Sequence, residues 1–267
     1  MSTPLESLFI KVRAENRAAL IAYLPAGFPS LDGCKKAIAA LVDAGVDAVE
    51  IGFPYSDPVM DGPTIQEAAE ISLKAGTGAK DVLSTLKSAH DLGVPAVVMT
   101  YWNPIERYGL DQFAHAILKN GGSGVITPDL SIEESADWKR STLNAGINTI
   151  YVVAPSSRDE RLAKVTAQCS GFIYAASLMG VTGARETISS GAQDLVGRIR
   201  AVSELPIAVG LGVSTREQAR NVAGFADGVI VGSAFIKILL AAKTEQDGLD
   251  GIGALARELA MGVREGR

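Results

Sequence analysis

The sequence predicts a parallel (β/α)8 barrel, and three observations carry that expectation. Short apolar runs recur eight times along the 267 residues, amphipathic stretches separate them, and no Pro/Ser-rich linker or composition shift divides the series. The runs are 19–24, 48–51, 96–100, 124–127, 149–153, 172–176, 207–209 and 228–231. Each is apolar along its length rather than alternating, as parallel strands covered by helices should be. A single domain, 1–267, accommodates all eight units. An open doubly wound sheet is the alternative. It would leave two edges, and no G-x-G-x-x-G follows the first run.

The helical stretches follow in order. Residues 4–16 carry Leu5, Leu8, Phe9 and Val12 on one face, an extra helix before the first strand that can close the base of the barrel. Further helical patterns cover 31–44, 64–73, 79–92, 111–120, 131–145, 158–168, 193–203 and 215–222. The second connection is doubled, split by the Ala-Gly-Thr-Gly break at 75–78. Several patterns end in Gly, as helix C-termini commonly do. A short apolar helix, 235–240, follows the last strand.

Composition narrows the function. A net charge of -5 and a pI near 5.2 argue against nucleic acid or an anionic membrane as partner. The longest apolar runs are strand-length, and the N-terminus lacks a basic region followed by an apolar block, so neither a transmembrane helix nor a secretory signal is expected. Cys34 and Cys169 stand far apart, in no metal-like spacing, which suits a reducing cytosol and a cytoplasmic protein. His90 and His115 fall on helix surfaces without a ligand partner at metal spacing.

A barrel of this kind works at the loops leaving the C-terminal ends of its strands. The second of these is unusual. VEIGFPYSDPVMDGP (49–63) begins as a buried strand with Glu50 inside the apolar run, then breaks into a Pro/Gly/Asp loop holding Asp57 and Asp61. A buried carboxylate costs several kcal/mol unless it is paired or protonated. Glu50 is therefore either a structural oddity or a proton-transfer group of raised pKa, and the second acid favours chemistry.

The last three strand exits are rich in Gly with a neighbouring Ser or Thr: Thr182-Gly183, Gly212-Val213-Ser214 and Gly232-Ser233. Converging glycine loops and the N-terminus of a short helix make a phosphate cradle. Tyr23, Tyr101, Trp102, Tyr174 and Leu211 are candidate pocket walls. The lysines from Lys11 to Lys237 fall on helical patterns rather than at strand ends, which argues against a Schiff-base aldolase. Proton transfer by carboxylates on a flat substrate with a phosphorylated tail is the expected chemistry.

The second loop resembles the signature of the tryptophan synthase alpha subunit family. The resemblance continues through YLPAGFP (23–29), MTYWNPIERYG (99–109), GFIYAASLMGVTG (171–183), PIAVGLGVS (206–214) and GVIVGSAFI (228–236), in that family's order and spacing. Met60 and Leu211 depart from it, at places where a smaller residue and an aromatic are usual. The resemblance implies a TIM barrel that cleaves indole-3-glycerol phosphate to indole and glyceraldehyde 3-phosphate. It implies no cofactor in this chain, and a beta subunit carrying pyridoxal phosphate as partner in an alpha2beta2 tetramer.

By the same resemblance Glu50 is the principal acid/base and Asp61 the carboxylate that accepts the indole N–H. Tyr174 is an aromatic beside the reacting bond. Gly183, Gly212, Gly232 and Ser233 are phosphate loops, and Thr182 belongs to a closing loop. Asp57, in an apolar loop that a partner would cover, is the candidate for a charged contact with that partner. A stand-alone indole-3-glycerol phosphate lyase, another phosphosugar isomerase and a catalytically idle barrel remain as rivals.

Overall fold

A computed structural model describes residues 2–176, 185–210 and 212–267. The eight strands are β1 (Ala19–Pro25), β2 (Ala48–Gly52), β3 (Ala96–Met99), β4 (Gly124–Thr127), β5 (Asn148–Val153), β6 (Ile173–Ala176), β7 (Ile207–Gly210) and β8 (Gly228–Val231). Each pairs in parallel with its neighbour in sequence, and β8 returns to β1 through Ala19↔Gly228, so the barrel is closed. Val, Ile and Ala fill the strands because both faces are covered, by the interior on one side and helices on the other.

Before the barrel, α1 (Pro4–Ala14) starts with a capping box. The Thr3 hydroxyl accepts from the Glu6 N–H at 3.2 Å, and the Glu6 carboxylate accepts from the Thr3 N–H at 2.9 Å. Thr3 also donates to the Asn148 side chain at the start of β5 (2.7 Å), while Phe9 meets Phe172 at 5.6 Å. Both contacts lie where strands begin, so α1 covers the base as expected.

The outer layer is α2 (Leu31–Asp43), α3 (Pro63–Lys74), α4 (Ala79–Asp91), α5 (Trp102–Tyr108), α6 (Leu110–Lys119), α7 (Ala136–Ala145), α8 (Asp159–Thr166), α9 (Arg185–Arg200), α10 (Arg216–Ala223), α11 (Ser233–Ala241) and α12 (Glu245–Glu265).

The structure differs from the sequence reading at four helices, and three of the differences have a visible physical cause. Residues 102–108, expected as loop, form α5, whose missing side-chain cap is supplied from another strand exit. The helix expected at 131–145 starts at Ala136, because Ser131 and Ser135 spend their hydroxyls on turn contacts with Glu134 and the Ile132 carbonyl. α9 starts at Arg185, eight positions before the expected 193. The long α12 was not expected at all. Gly248, Gly251, Gly253 and Gly262 dilute its helical signal, yet they let it pack closely. A Cβ at Gly262 would stand 2.4 Å from the Arg216 carbonyl oxygen of α10.

Candidate active site

Glu50 sits in the middle of β2, 2% exposed, with Tyr23 of β1 and Val97 of β3 as its register neighbours. Its Oε2 has no hydrogen-bond partner among the described residues. Native structures seldom leave such an atom unmet without a use for it. Burial, and after it the charge of Asp61, push the Glu50 carboxyl up to about 8.

Asp61 ends the loop after β2, one residue before the cap of α3. Burial raises its carboxyl to about 6, against the opposing pull of a hydrogen bond from the Tyr101 hydroxyl. Near neutral pH the pair is therefore split, with Glu50 protonated and Asp61 ionised. Two acids whose environments drive their pKa values apart are fitted to opposite proton-transfer roles.

Three phenols surround the pair. Tyr23, Tyr101 and Tyr174 all have raised pKa values. Burial is the main cause for each, and the Asp61 charge contributes to all three. Two of them need glycine beneath them. A Cβ at Gly52 would meet the Tyr23 hydroxyl at 2.4 Å, and one at Gly210 would meet the Tyr174 hydroxyl at 2.6 Å. Gly232 has the same relation to the Tyr23 ring, at 2.8 Å from Cδ1. That glycine, expected in the phosphate cradle, also makes room for the pocket wall.

Across β1 from the strand that carries Glu50, β8 runs into α11, which begins at Ser233. Its N-cap Gly232 offers no side-chain cap, so the N–H groups of the first turn stay open toward the mouth. Gly212 has φ 65°, the left-handed region in which glycine is at home. Thr182, Gly183 and Leu211 lie outside the described residues.

The loop after β2 divides in two. Phe53 and Tyr55 fold back against the core and Pro54 is buried, while Val59 (73%) and Met60 (40%) project into solvent. Asp57 is exposed and accepts from the Ser56 hydroxyl at 2.5 Å.

Sequence reasoning missed how strand 3 holds this loop. The Tyr101 hydroxyl accepts from the Met60 N–H, next to Asp61, at 3.2 Å. Its ring lies 5.2 Å from that of Tyr55, and Asn103 donates to the Tyr55 hydroxyl at 3.1 Å. The available signal was a tyrosine leaving the strand next to the one that carries Glu50. Trp102 is not a pocket wall. It meets Trp138 of α7 edge-on at 6.3 Å, in the helical layer.

Both histidines are exposed, and among the described residues no three His, Cys, Asp or Glu side chains cluster to hold a metal. The Cys34 and Cys169 thiols are pushed up to about 11 by burial, far from the thiolate a nucleophile needs. Among the described residues, no helix is long and apolar enough to cross a membrane.

Fold and site together define a barrel enzyme of the acid–base class, with paired carboxylates at the strand exits. The family model described as tryptophan synthase alpha chain matches residues 9–264, and the chain belongs to that family. The tryptophan synthase alpha chain of Streptomyces avermitilis is 56% identical over 263 residues, covering 98% of this chain and 95% of the relative. That of Mycobacterium marinum is 51% identical, covering 98% and 95%.

Among solved structures, the tryptophan synthase of M. tuberculosis in an open form superposes with a TM-score of 0.90 at 45% identity, over 99% of this chain and 100% of that one. The alpha subunit from Legionella pneumophila does so with a TM-score of 0.90 at 32% identity, over 98% and 99%. The family's alpha chain is a lyase of tryptophan biosynthesis that cleaves indole-3-glycerol phosphate. It holds no cofactor of its own, pyridoxal phosphate being on the beta subunit that family membership implies as partner.

Proposed function

We propose that Glu50 and Asp61 divide the proton work in cleaving indole-3-glycerol phosphate to indole and glyceraldehyde 3-phosphate. The observation that carries this division is the split between a buried, unpartnered carboxyl held near 8 and a neighbour held near 6.

Protonated Glu50 gives its proton to C3 of the indole ring, while ionised Asp61 accepts the ring N–H and stabilises the positive charge that develops there. Glu50, now a carboxylate, takes the proton of the hydroxyl on the side-chain carbon attached to the ring. The electrons of that O–H bond form the aldehyde C=O. The carbon–carbon bond breaks, its pair returns to the ring, and Glu50 ends protonated as it began. No water is consumed.

Tyr23, Tyr174 and Leu211 form the wall around the ring. The phosphate lies against the left-handed turn at Gly212 and the open N-terminus of α11 at Gly232 and Ser233. Gly183 and Thr182 complete that cradle.

The partner docks on the loop after β2. Exposed Val59 and Met60 supply apolar surface, Asp57 makes the charged contact, and the assembly is an alpha2beta2 tetramer in the cytoplasm. Two free cysteines accord with that compartment, and all 267 residues form one barrel domain.

Because Asp61 rides on the same loop, docking orders a reacting group, and small misplacements cost orders of magnitude in rate. Indole formation titrated against added beta subunit tests this. The unmodified chain should be strongly activated, and Asp57→Ala should lose far more of the activation than of the basal rate. A flat titration of the unmodified chain would instead identify a stand-alone lyase.

A further inference from the structure

Asp129 lies in the connection after β4, exposed to solvent, and both of its carboxylate oxygens reach the backbone N–H of Trp102, at 2.9 and 3.0 Å. That N–H opens α5, whose own N-cap, Tyr101, makes no side-chain cap. Asp129 thus caps a helix from a different strand exit, with the charge sign that a helix N-terminus favours. The bond lies just beyond the last backbone link between these strands, from the Thr100 N–H to the Ile126 carbonyl at 3.0 Å.

On either side of Trp102 stand the two residues that hold the loop after β2. Tyr101, 1% exposed, accepts from the N–H of Met60, the residue before Asp61; Asn103 holds the Tyr55 hydroxyl. The Tyr55 and Tyr101 rings, 5.2 Å apart and inclined by 30°, close the grip. The three residues 101–103 therefore form a clamp on the loop that carries Asp61, and Asp129 fixes its middle.

We infer that Asp129 is a positioning residue for Asp61, acting through the Trp102 N–H and the Tyr101 phenol. This rests on the role given to Asp61 above. Asp129 does not touch the reacting atoms. Without it the start of α5 shifts, the phenol no longer holds the Met60 N–H, and the loop loses the contact that aims Asp61 at the ring.

The test uses indole formation from indole-3-glycerol phosphate by the full chain saturated with its beta subunit. Asp129→Ala should lower kcat by roughly ten- to a hundredfold, the scale of a small misplacement of a reacting group, with KM within about twofold. Asp129→Asn keeps a neutral acceptor for the N–H and should recover most of the loss.

The decisive measurement is the double variant. If Asp129 acts through Tyr101, then Asp129→Ala with Tyr101→Phe should be no slower than Tyr101→Phe alone, because the two changes break one connection. The acid limb of the kcat/KM profile should also move to higher pH in Asp129→Ala, since the Tyr101 hydrogen bond favours the ionised form of Asp61. Among the described residues the titratable groups facing Asp61 are Glu50 of β2, Tyr23 of β1, Tyr174 of β6 and Tyr101 itself. Of these only Glu50 changes charge near neutrality, and its limb lies on the basic side.

Should Asp129→Ala not fold, Asp129→Ser takes its place, being polar but too short to reach the N–H. Multiplying losses in the double variant, or a raised KM with unchanged kcat and an unmoved acid limb, would overturn the inference. Full activity in Asp61→Asn would instead remove the reading of Asp61 on which it rests.

Discussion

Two buried carboxylates mark the two ends of this barrel, and the molecule treats them in opposite ways. Asp227 immediately precedes β8 at the base and is 5% exposed. It accepts from the Ile207 N–H at 3.0 Å, from Arg200 at 3.0 Å and from Arg267 at 2.9 Å. Burial would raise its pKa, but these donors together hold it below the ordinary carboxylate value. Glu50, in β2, is as deeply buried and meets no cation among the described residues, so its pKa moves the other way. Asp47 repeats the arrangement of the base. Just before β2, it accepts two bonds from Arg17, at 2.8 and 2.9 Å, and one from the Leu20 N–H. The base satisfies its charges, whereas the mouth withholds a partner where a substrate atom can serve as one. The division matches the general rule for barrels, in which one face carries stability and the other chemistry.

The comparison is sharpest at Glu50. Glu50→Gln preserves volume and removes the transferable proton, so turnover should fall by about 10²- to 10⁴-fold while substrate still binds. Steady-state kinetics with an independent binding measurement checks both halves, and near wild-type turnover would break the contrast.

Next in size is Asp227. Asp227→Ala should leave kcat and KM close to wild type and cost about 2 to 4 kcal/mol of stability, because buried donors lose their acceptor. Urea unfolding alongside the kinetic assay separates the two effects.

Comparable in size, but seen only away from neutrality, is the dependence of stability on pH, where the two acids should have opposite signs. Asp227 has a folded pKa below its unfolded one, so its contribution is present above the unfolded value and is lost as acid protonates the folded form. Glu50 has a folded pKa of about 8 against an ordinary 4.5, so its contribution is complete below the ordinary value and declines as pH rises through 8. Glu50→Gln should therefore match the parent in stability near pH 4.5 and exceed it by about 2 to 4 kcal/mol near pH 9, a shift-derived maximum reduced for relaxation. Unfolding curves at both pH values decide it, and equal stabilities at pH 9 would mean that Glu50 is not held neutral.

Much of this was legible in the chain. Strands buried on both faces write themselves as apolar runs, and a carboxylate inside one is conspicuous for the same reason, so Glu50 could be found without coordinates. Asp61 stood out through its spacing in the loop. Tyr101 did not, because a tyrosine at a strand end reads equally as pocket wall or as packing. Only the closed barrel brings its hydroxyl to Asp61. Trp102, one residue along, points instead to Trp138 in the helical layer. α12 was hidden for a related reason. Glycine lowers helix propensity locally, and what it gains at Gly262, a close approach to α10, is a contact with distant residues.

The seam between β1 and β8 has a consequence for how the molecule comes into being. Ala19 and Gly228 pair although more than two hundred residues separate them, and joining such remote segments is slow because chain entropy must be surrendered before the contact rewards it. Tyr23 leaves one side of that seam and Gly232 the other, and the ring of the first packs on the second. The ligand pocket therefore has no existence in a partly zipped chain. Any molecule that occupies it favours only the sealed form, so binding acts as a latch on the final step of folding.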